Sequence, residues 1–337
     1  LSKKIMAVCD LEHEYADKLA QYLEQKQGFP FEIRTFLDVD RLLEFCREKE
    51  EPIELLLISE SAYCKELQDI ADMHIMILNE SGKVTYPEYR NVDKYQTAEN
   101  IVREVMCYCA EQLSENMTQP LLKTGTGILG FYSPVRRCMQ TSLALTLGQL
   151  LAENYRVLYL NMEGYSGFSQ RFYTENAAEL TELIYYAHNM TGKLIYRVES
   201  MVQRLGKLEY VPPVLSASDL NLISGEEWKE LLRQLVDRCQ YDYILLDLSD
   251  RVRGLFELLR MCTTVYTIKE DDFSAEAKLC EYKEDLKRCG YEDIAEKTRE
   301  CHLPWIEKLP KEAGMLPYTK LGKYVQSQLM GGMYDRV

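Results

Sequence analysis

No stretch of the 337-residue sequence approaches the roughly 20 consecutive apolar residues of a membrane helix, so a membrane-spanning protein is not expected. The opening residues, LSKKIMAVCD, carry no apolar segment ahead of a cleavage site, and the expected location is cytoplasmic. Basic charge is scarce as well. Forty Lys and Arg stand against 54 Asp and Glu, giving a net charge of −14 with no long basic run. Binding to a phosphate backbone needs clustered cations, so nucleic acid is not an expected partner. The eleven cysteines are irregularly spaced, Cys107 and Cys109 are their only close pair, and the four histidines are scattered. That pattern excludes a zinc site of ordinary spacing. Cys9, Cys46 and Cys262 lie in apolar runs and read as reduced core thiols. Internal repeats and low-complexity blocks are absent too.

What is present is enough apolar material for two cores. Hydrophobic residues make up 46% of a chain whose length suits two average domains. From the start, strand-like and helix-like segments alternate. Lys4–Cys9, Phe31–Phe36, Ile53–Ile58 and His74–Leu78 read as strands. Tyr15–Glu24, Val39–Glu48 and Ala98–Leu113 read as amphipathic helices. Such alternation predicts a parallel sheet covered on both faces, a flavodoxin-like fold over residues 1–114. At the strand ends stand Asp10 with Glu12, Ser59 with Glu60, and Asn79, while Lys94 follows later.

This half resembles a response-regulator receiver domain over roughly residues 3–114. The resemblance implies acidic residues after the first strand, here Asp10 and Glu12, and a phosphate-accepting aspartate at the end of the third. Ser59 occupies that acceptor place and cannot form an acyl phosphate. Asn79 stands where receivers carry Ser or Thr, and Lys94 is the candidate for the family lysine. The expectation is a pseudo-receiver that docks protein partners, with Asp10 and Glu12 capping the next helix or facing water.

Residues 115–126, within the stretch SENMTQPLLKTGTG, are rich in Ser, Asn, Thr, Pro and Gly and read as a linker. The second domain is expected over residues 127–337. Its first strand, Gly127–Tyr132, runs into Ser133, Pro134, Val135, Arg136, Arg137, Cys138 and Met139, and a helix follows over Gln140–Glu153. A strand over Arg156–Leu160 ends in Asn161, Met162 and Glu163. The run YDYILLDLSD, ending Asp247-Leu248-Ser249-Asp250, reads as a buried strand closed by acids, and Val265–Lys269 reads as another strand.

Three blocks carry a second resemblance: GFYSPVRRCMQTSLALTLGQLLAENYRVLYLNME, YVPPVLSASDLNLISGEEWKELLRQLVDRCQYDYILLDLSD and LLRMCTTVYTIKEDDFS. In this order they resemble the MinD/ParA family of P-loop ATPases, and within it the CpaE-like proteins of pilus assembly, which also join a receiver-like domain to such an ATPase domain. The resemblance implies a site for ATP or ADP with Mg2+. It also implies a phosphate loop of the form KGGxGK[ST] between strand and helix, whose glycines let backbone N–H groups wrap the phosphates. On this chain the first lysine falls on Val135, the glycines on Arg136, Arg137 and Met139, and the last lysine on Gln140. Only the hydroxyl is kept, as Thr141, followed by Ser142.

The residues expected to hold nucleotide are therefore Ser133, Pro134, Val135, Arg136, Arg137, Cys138, Met139, Gln140, Thr141 and Ser142. Thr141 and Asp247 are the magnesium candidates, and Glu163 and Asp247 the catalytic ones, with Asp250 in reserve. Asp247 also suits a plain helix cap. Arginine pairs well with phosphate, but loss of both lysines removes charge that phosphoryl transfer relies on. The expected function is a nucleotide-binding regulatory or localisation protein with little or no hydrolysis. The alternatives are an active ATPase with an altered loop and an interaction module that binds no nucleotide. A homodimer is implied by the family, although its bridging lysine is missing. Tyr185, Tyr186 and Tyr196 read as amphipathic core edges. The stretch Thr319–Met330 reads as a packed terminal helix, with weak membrane association as the alternative.

Overall fold

The computed structural model describes residues 4–48, 51–70, 73–113, 125–136, 139–165, 167 and 179–331. Most of the expected linker, and with it Arg137 and Cys138 of the loop, lies outside them. The described residues form two compact units, one within 1–119 together with Ile195–Ser200, the other comprising the remainder. Both are α/β.

In the first unit β1 (Lys4–Cys9), β2 (Phe31–Phe36), β3 (Ile53–Ser59), β4 (His74–Asn79) and β5 (Arg90–Asp93) form a sheet in the order β2-β1-β3-β4-β5. Every pairing is parallel. This is the doubly wound order 2-1-3-4-5. Helices α1 (His13–Gln25), α2 (Val39–Glu48), α3 (Glu66–Ile70) and α4 (Ala98–Gln112) connect or follow the strands. Alternate residues of the strands, Ile5, Ala7, Cys9, Leu56, Ile58, Ile75 and Ile77, cluster with Leu42, Leu43 and Leu67 of α2 and α3. Their neighbours Met6, Val8, Leu55, Leu57, Met76 and Leu78 are wholly buried too. Burial on both faces explains why these strands read as unbroken apolar runs. Thr97 caps α4 by accepting from the Asn100 amide.

The second unit opens with β6 (Gly127–Phe131), α5 (Gln140–Leu151) and β7 (Val157–Met162). Next along the chain come α6 (Leu180–Asn189), α7 (Leu194–Met201), whose residues Ile195–Ser200 belong to the first unit, the hairpin β8 (Gln203–Leu205) and β9 (Leu208–Val211), α8 (Ala217–Leu222) and α9 (Gly225–Arg238). Then follow β10 (Tyr243–Leu248), α10 (Leu255–Met261), β11 (Thr264–Ile268), α11 (Phe273–Arg288), α12 (Glu292–Glu296), β12 (Thr298–Cys301) and α13 (Lys320–Tyr324). Strand order is β12-β11-β6-β10-β7-β9-β8, and only the β8–β9 pair is antiparallel. A capping box, in which Ser224 and Glu227 satisfy each other's backbone amides, starts α9.

Leu143, Leu147 and Leu151 of α5 pack on Leu129, Phe131, Tyr159 and Leu245, and Leu321, Val325 and Leu329 join the same core. The apolar side chains of Thr319–Met330 thus face protein. No helix among the described residues is long and apolar enough to cross a membrane. Tyr196 is buried, whereas Tyr185 is half exposed and is no core residue.

Candidate functional site

In each unit the chemistry gathers where the strand connections part. In the second, β6 leads across β10 to β7, while β10 leads back across β6 to β11. The crevice at the carboxyl ends of β6 and β10 is a topological switch point, where open α/β sheets bind ligands. The loop from Ser133 to Met139 and the acid Asp247 both arrive there.

The loop keeps a left-handed backbone without glycine. Arg136 has φ 57° and Met139 φ 62°. Side chains in this region meet their own carbonyls at a cost of about 1–2 kcal/mol per residue. Both positions are among those where the resemblance places glycines.

Gln140 is buried and turned into the protein. Its Nε2 donates to Asp247 Oδ1 at 2.7 Å and to the Leu248 carbonyl at 2.9 Å, and its Oε1 accepts from the Ser133 amide at 2.8 Å. Ser133 in turn donates from Oγ to the Ile268 carbonyl at 2.8 Å and accepts from the Val135 amide at 3.3 Å. One glutamine thus stitches the loop to β10, and one serine stitches it to β11.

Asp247 is 0% exposed. Beyond Gln140, its Oδ2 accepts from Tyr159 Oη at 2.8 Å and Asn161 Nδ2 at 3.4 Å. Burial raises its pKa, while the bonds from Gln140 and Tyr159 act against that rise. Burial, with Asp247 next to it, pushes the Tyr159 phenol far up. Every donor on Asp247 is neutral.

Nearer the surface, Glu163 is pushed up to about 7, first by desolvation, then by Asp247 and Asp250, with Arg136 opposing. Arg136 pairs with Asp250, and both are more than half exposed. These groups line an open cleft of about 1010 Å³. Four of its carboxylates, Glu163, Asp250, Glu281 and Asp285, face three cations, Arg136, Arg251 and Lys278. Arg251 lies over the Tyr165 ring, 5.4 Å from its centre. Of the expected nucleotide residues, Ser133, Pro134, Arg136, Met139, Gln140, Thr141 and Ser142 line the cleft. Val135 does not. Tyr159, Lys278 and the acids of α11 were not foreseen, and nothing in their local sequence marks them.

The first unit holds a different arrangement at the carboxyl ends of its strands. Lys94, wholly buried, donates to Asp10 Oδ1 at 3.0 Å, to Glu12 at 2.9 Å and to Glu80 at 2.7 Å, with Asp10 Oδ2 2.9 Å from the ammonium. Burial opposes the ammonium charge, but the bonds to Glu80, Asp10 and Glu12 outweigh it and hold the lysine above its ordinary range. The three carboxylates lie within 4.8 Å of one another, as in a metal site, with the Lys94 ammonium among them. The expectation that Asp10 and Glu12 cap a helix or face water is corrected for Asp10, which is buried on Lys94 while α1 has no side-chain cap; Glu12 is exposed to water and also holds the lysine. Ser59 is buried as well, 3.4 Å from the Ser61 hydroxyl. Next to it Glu60 accepts from the amides of Glu80 and Ser81 at 3.1 and 3.2 Å and from the hydroxyls of Ser81 and Thr85.

No protein-family model matches the chain, and no curated protein does. Solved structures do match. A ParA family ATPase from Chlorobium tepidum is 13% identical over 61% of this chain and 98% of its own, with a TM-score of 0.49. A plasmid partition protein from Borrelia burgdorferi, bound to AMPPNP, is 14% identical over 60% of this chain and all of its own, with a TM-score of 0.42. The MinC:MinD cell division complex from Aquifex aeolicus matches at 13% identity, 62% and 76% coverage and a TM-score of 0.41.

Proposed function

We propose that the chain is a nucleotide-binding regulatory or localisation protein of the MinD/ParA type that does not turn its nucleotide over. The observation that carries this reading is the place of Gln140. It stands at the head of α5, where a phosphate-loop lysine would stand, and its amide is spent on Asp247, Leu248 and Ser133. A transferring phosphoryl group needs fixed positive charge, and this position supplies none. Binding is a lesser demand. The loop retains its left-handed turns at Arg136 and Met139, and the first turn of a helix presents backbone N–H groups without helical acceptors. Arg136 supplies a cation at the mouth of the cleft.

In this reading the first unit is a pseudo-receiver that docks protein partners, since Ser59 cannot carry an acyl phosphate. The pairing of two such units supports a CpaE-like role beside a pilus or secretion machine. A homodimer would form without a bridging lysine, whose place Val135 takes.

Calorimetry with ADP and ATP on the wild type and on the Arg136→Ala/Arg137→Ala variant tests the proposal. Binding that the double substitution weakens is expected. The acid-rich lining of the cleft favours a second reading, an interaction module without nucleotide, and no binding at millimolar nucleotide by calorimetry and thermal shift would mean a vestigial site and turn the search to protein partners.

A further inference from the structure

Magnesium is the cation that a phosphate-loop site implies, and the residues here do not fit it. Mg2+ demands near-octahedral oxygen ligands and gives up its water reluctantly. Asp247 is 0% exposed and both its oxygens already accept protein hydrogen bonds. The Gln140 amide on Oδ1 is a donor, which repels a cation approaching from that side. The remaining acids do not make up the loss. Among the described residues, three carboxylates converge within 4.8 Å only at Asp10, Glu12 and Glu80, not at Asp247, Glu163 and Asp250.

Charge on a bound phosphate must then be met by side chains at the mouth. Among the described residues of the loop Arg136 is the cation, and it is engaged by Asp250. Both are exposed, and an exposed pair is weak enough to be exchanged for another anion. A guanidinium that leaves a carboxylate can take a phosphate by the same bidentate geometry.

We propose that the cleft binds a nucleoside phosphate without a divalent cation, with Arg136 passing from Asp250 to the ligand's phosphate, so that Asp250 acts as a built-in competitor. The inference rests on the nucleotide-binding reading and adds to it the metal independence and the competing carboxylate. Displacing Asp250 leaves its charge in the cleft mouth, which holds affinity down. Removing that charge frees Arg136.

The test is calorimetry on the full chain with ADP and with ATP, in EDTA and in Mg2+, for the wild type, Asp250→Asn and Arg136→Ala. Both substituted residues are exposed, so the variants are expected to fold, and far-ultraviolet circular dichroism checks this. The expected result is equal affinity with and without Mg2+. Asp250→Asn should bind about twofold to fivefold tighter, the range set by an exposed ion pair. Arg136→Ala should bind about tenfold weaker or more, the loss of a charged hydrogen bond. Binding that appears only with Mg2+ overturns the inference and leaves the nucleotide reading standing. Metal-free binding that Asp250→Asn leaves unchanged or weakens overturns the competitor role. No binding by the wild type or Asp250→Asn in either buffer overturns both inference and reading.

Discussion

The two units bury an acid at the same kind of place, the carboxyl end of a central parallel strand, and neutralise it by opposite means. In the first, Asp10 is met by a full positive charge, the Lys94 ammonium, which also gathers Glu12 and Glu80. In the second, Asp247 is met only by neutral donors from Gln140, Tyr159 and Asn161. A charged partner makes a site that depends on one residue. Neutral donors spread the dependence over several, and they leave the acid's charge uncompensated, which is why burial still raises the Asp247 pKa. Either way a side chain of the protein fills the space beside the acid that a metal or a phosphate-facing lysine would need.

The contrast predicts the largest effect in the first unit. Lys94→Met leaves three acids together with no cation, and breaking a buried pair costs about 3–5 kcal/mol. Urea denaturation should show that loss. Because the three carboxylates lie within 4.8 Å, added Mn2+ or Mg2+ should then raise the melting temperature of Lys94→Met and not that of the wild type. If the divalent ion does nothing for the variant, the account of Lys94 as a stand-in cation fails.

In the second unit, Gln140→Leu should cost less, about 2–3 kcal/mol, the price of leaving a buried acceptor without its donor. Tyr159 and Asn161 still hold the carboxylate, so no cation response should appear. A loss as large as that of Lys94→Met would show that Gln140 carries the site alone and would break the comparison.

A smaller effect of opposite sign is expected in the loop. Met139 has φ 62°, a conformation glycine adopts freely, so Met139→Gly should stabilise the second unit by about 0.5–1 kcal/mol after the glycine's extra unfolded-state entropy is counted. Denaturation midpoints with an unchanged slope would record it.

The finest test is a titration. Glu163 is pushed up to about 7, chiefly by desolvation and then by Asp247 and Asp250. Its folded-state value lies above its unfolded one, so folding takes up a proton, and the group's contribution to stability declines as pH rises from about 4.5 towards about 7. Carboxyl carbon NMR should place its midpoint near 7, lower in Asp250→Asn and higher in Arg136→Ala. A midpoint in the ordinary glutamate range would show that the acids of the cleft are screened by water.

Much of this frame is legible in the sequence because parallel strands buried on both faces read as mostly apolar runs, as in Ile53–Ser59 and Tyr243–Leu248. Asp247 stands out for the same reason, as an acid closing such a run. The short strand Arg90–Asp93 escapes notice, since its sequence RNVD has one buried residue and no apolar pattern. So does the buried contact of Arg156 with Glu209, two charges that read as surface until β9 is placed beside β7. Site partners are hidden by distance along the chain. Gln140 and Asp247 are 107 residues apart and Lys94 and Asp10 are 84 apart, and no local pattern couples them. A glutamine in a lysine's place announces a loss of charge, but not that the amide turns inward to bind the acid.

ATP turnover by the purified full chain, in Mg2+ and with Asp247→Ala as control, tests the central claim most directly. With Gln140 locked on Asp247, the account predicts phosphate release no faster than the uncatalysed background and the same in both proteins. Turnover above background that disappears in Asp247→Ala would contradict it, since the buried acid would then be at work on a nucleotide.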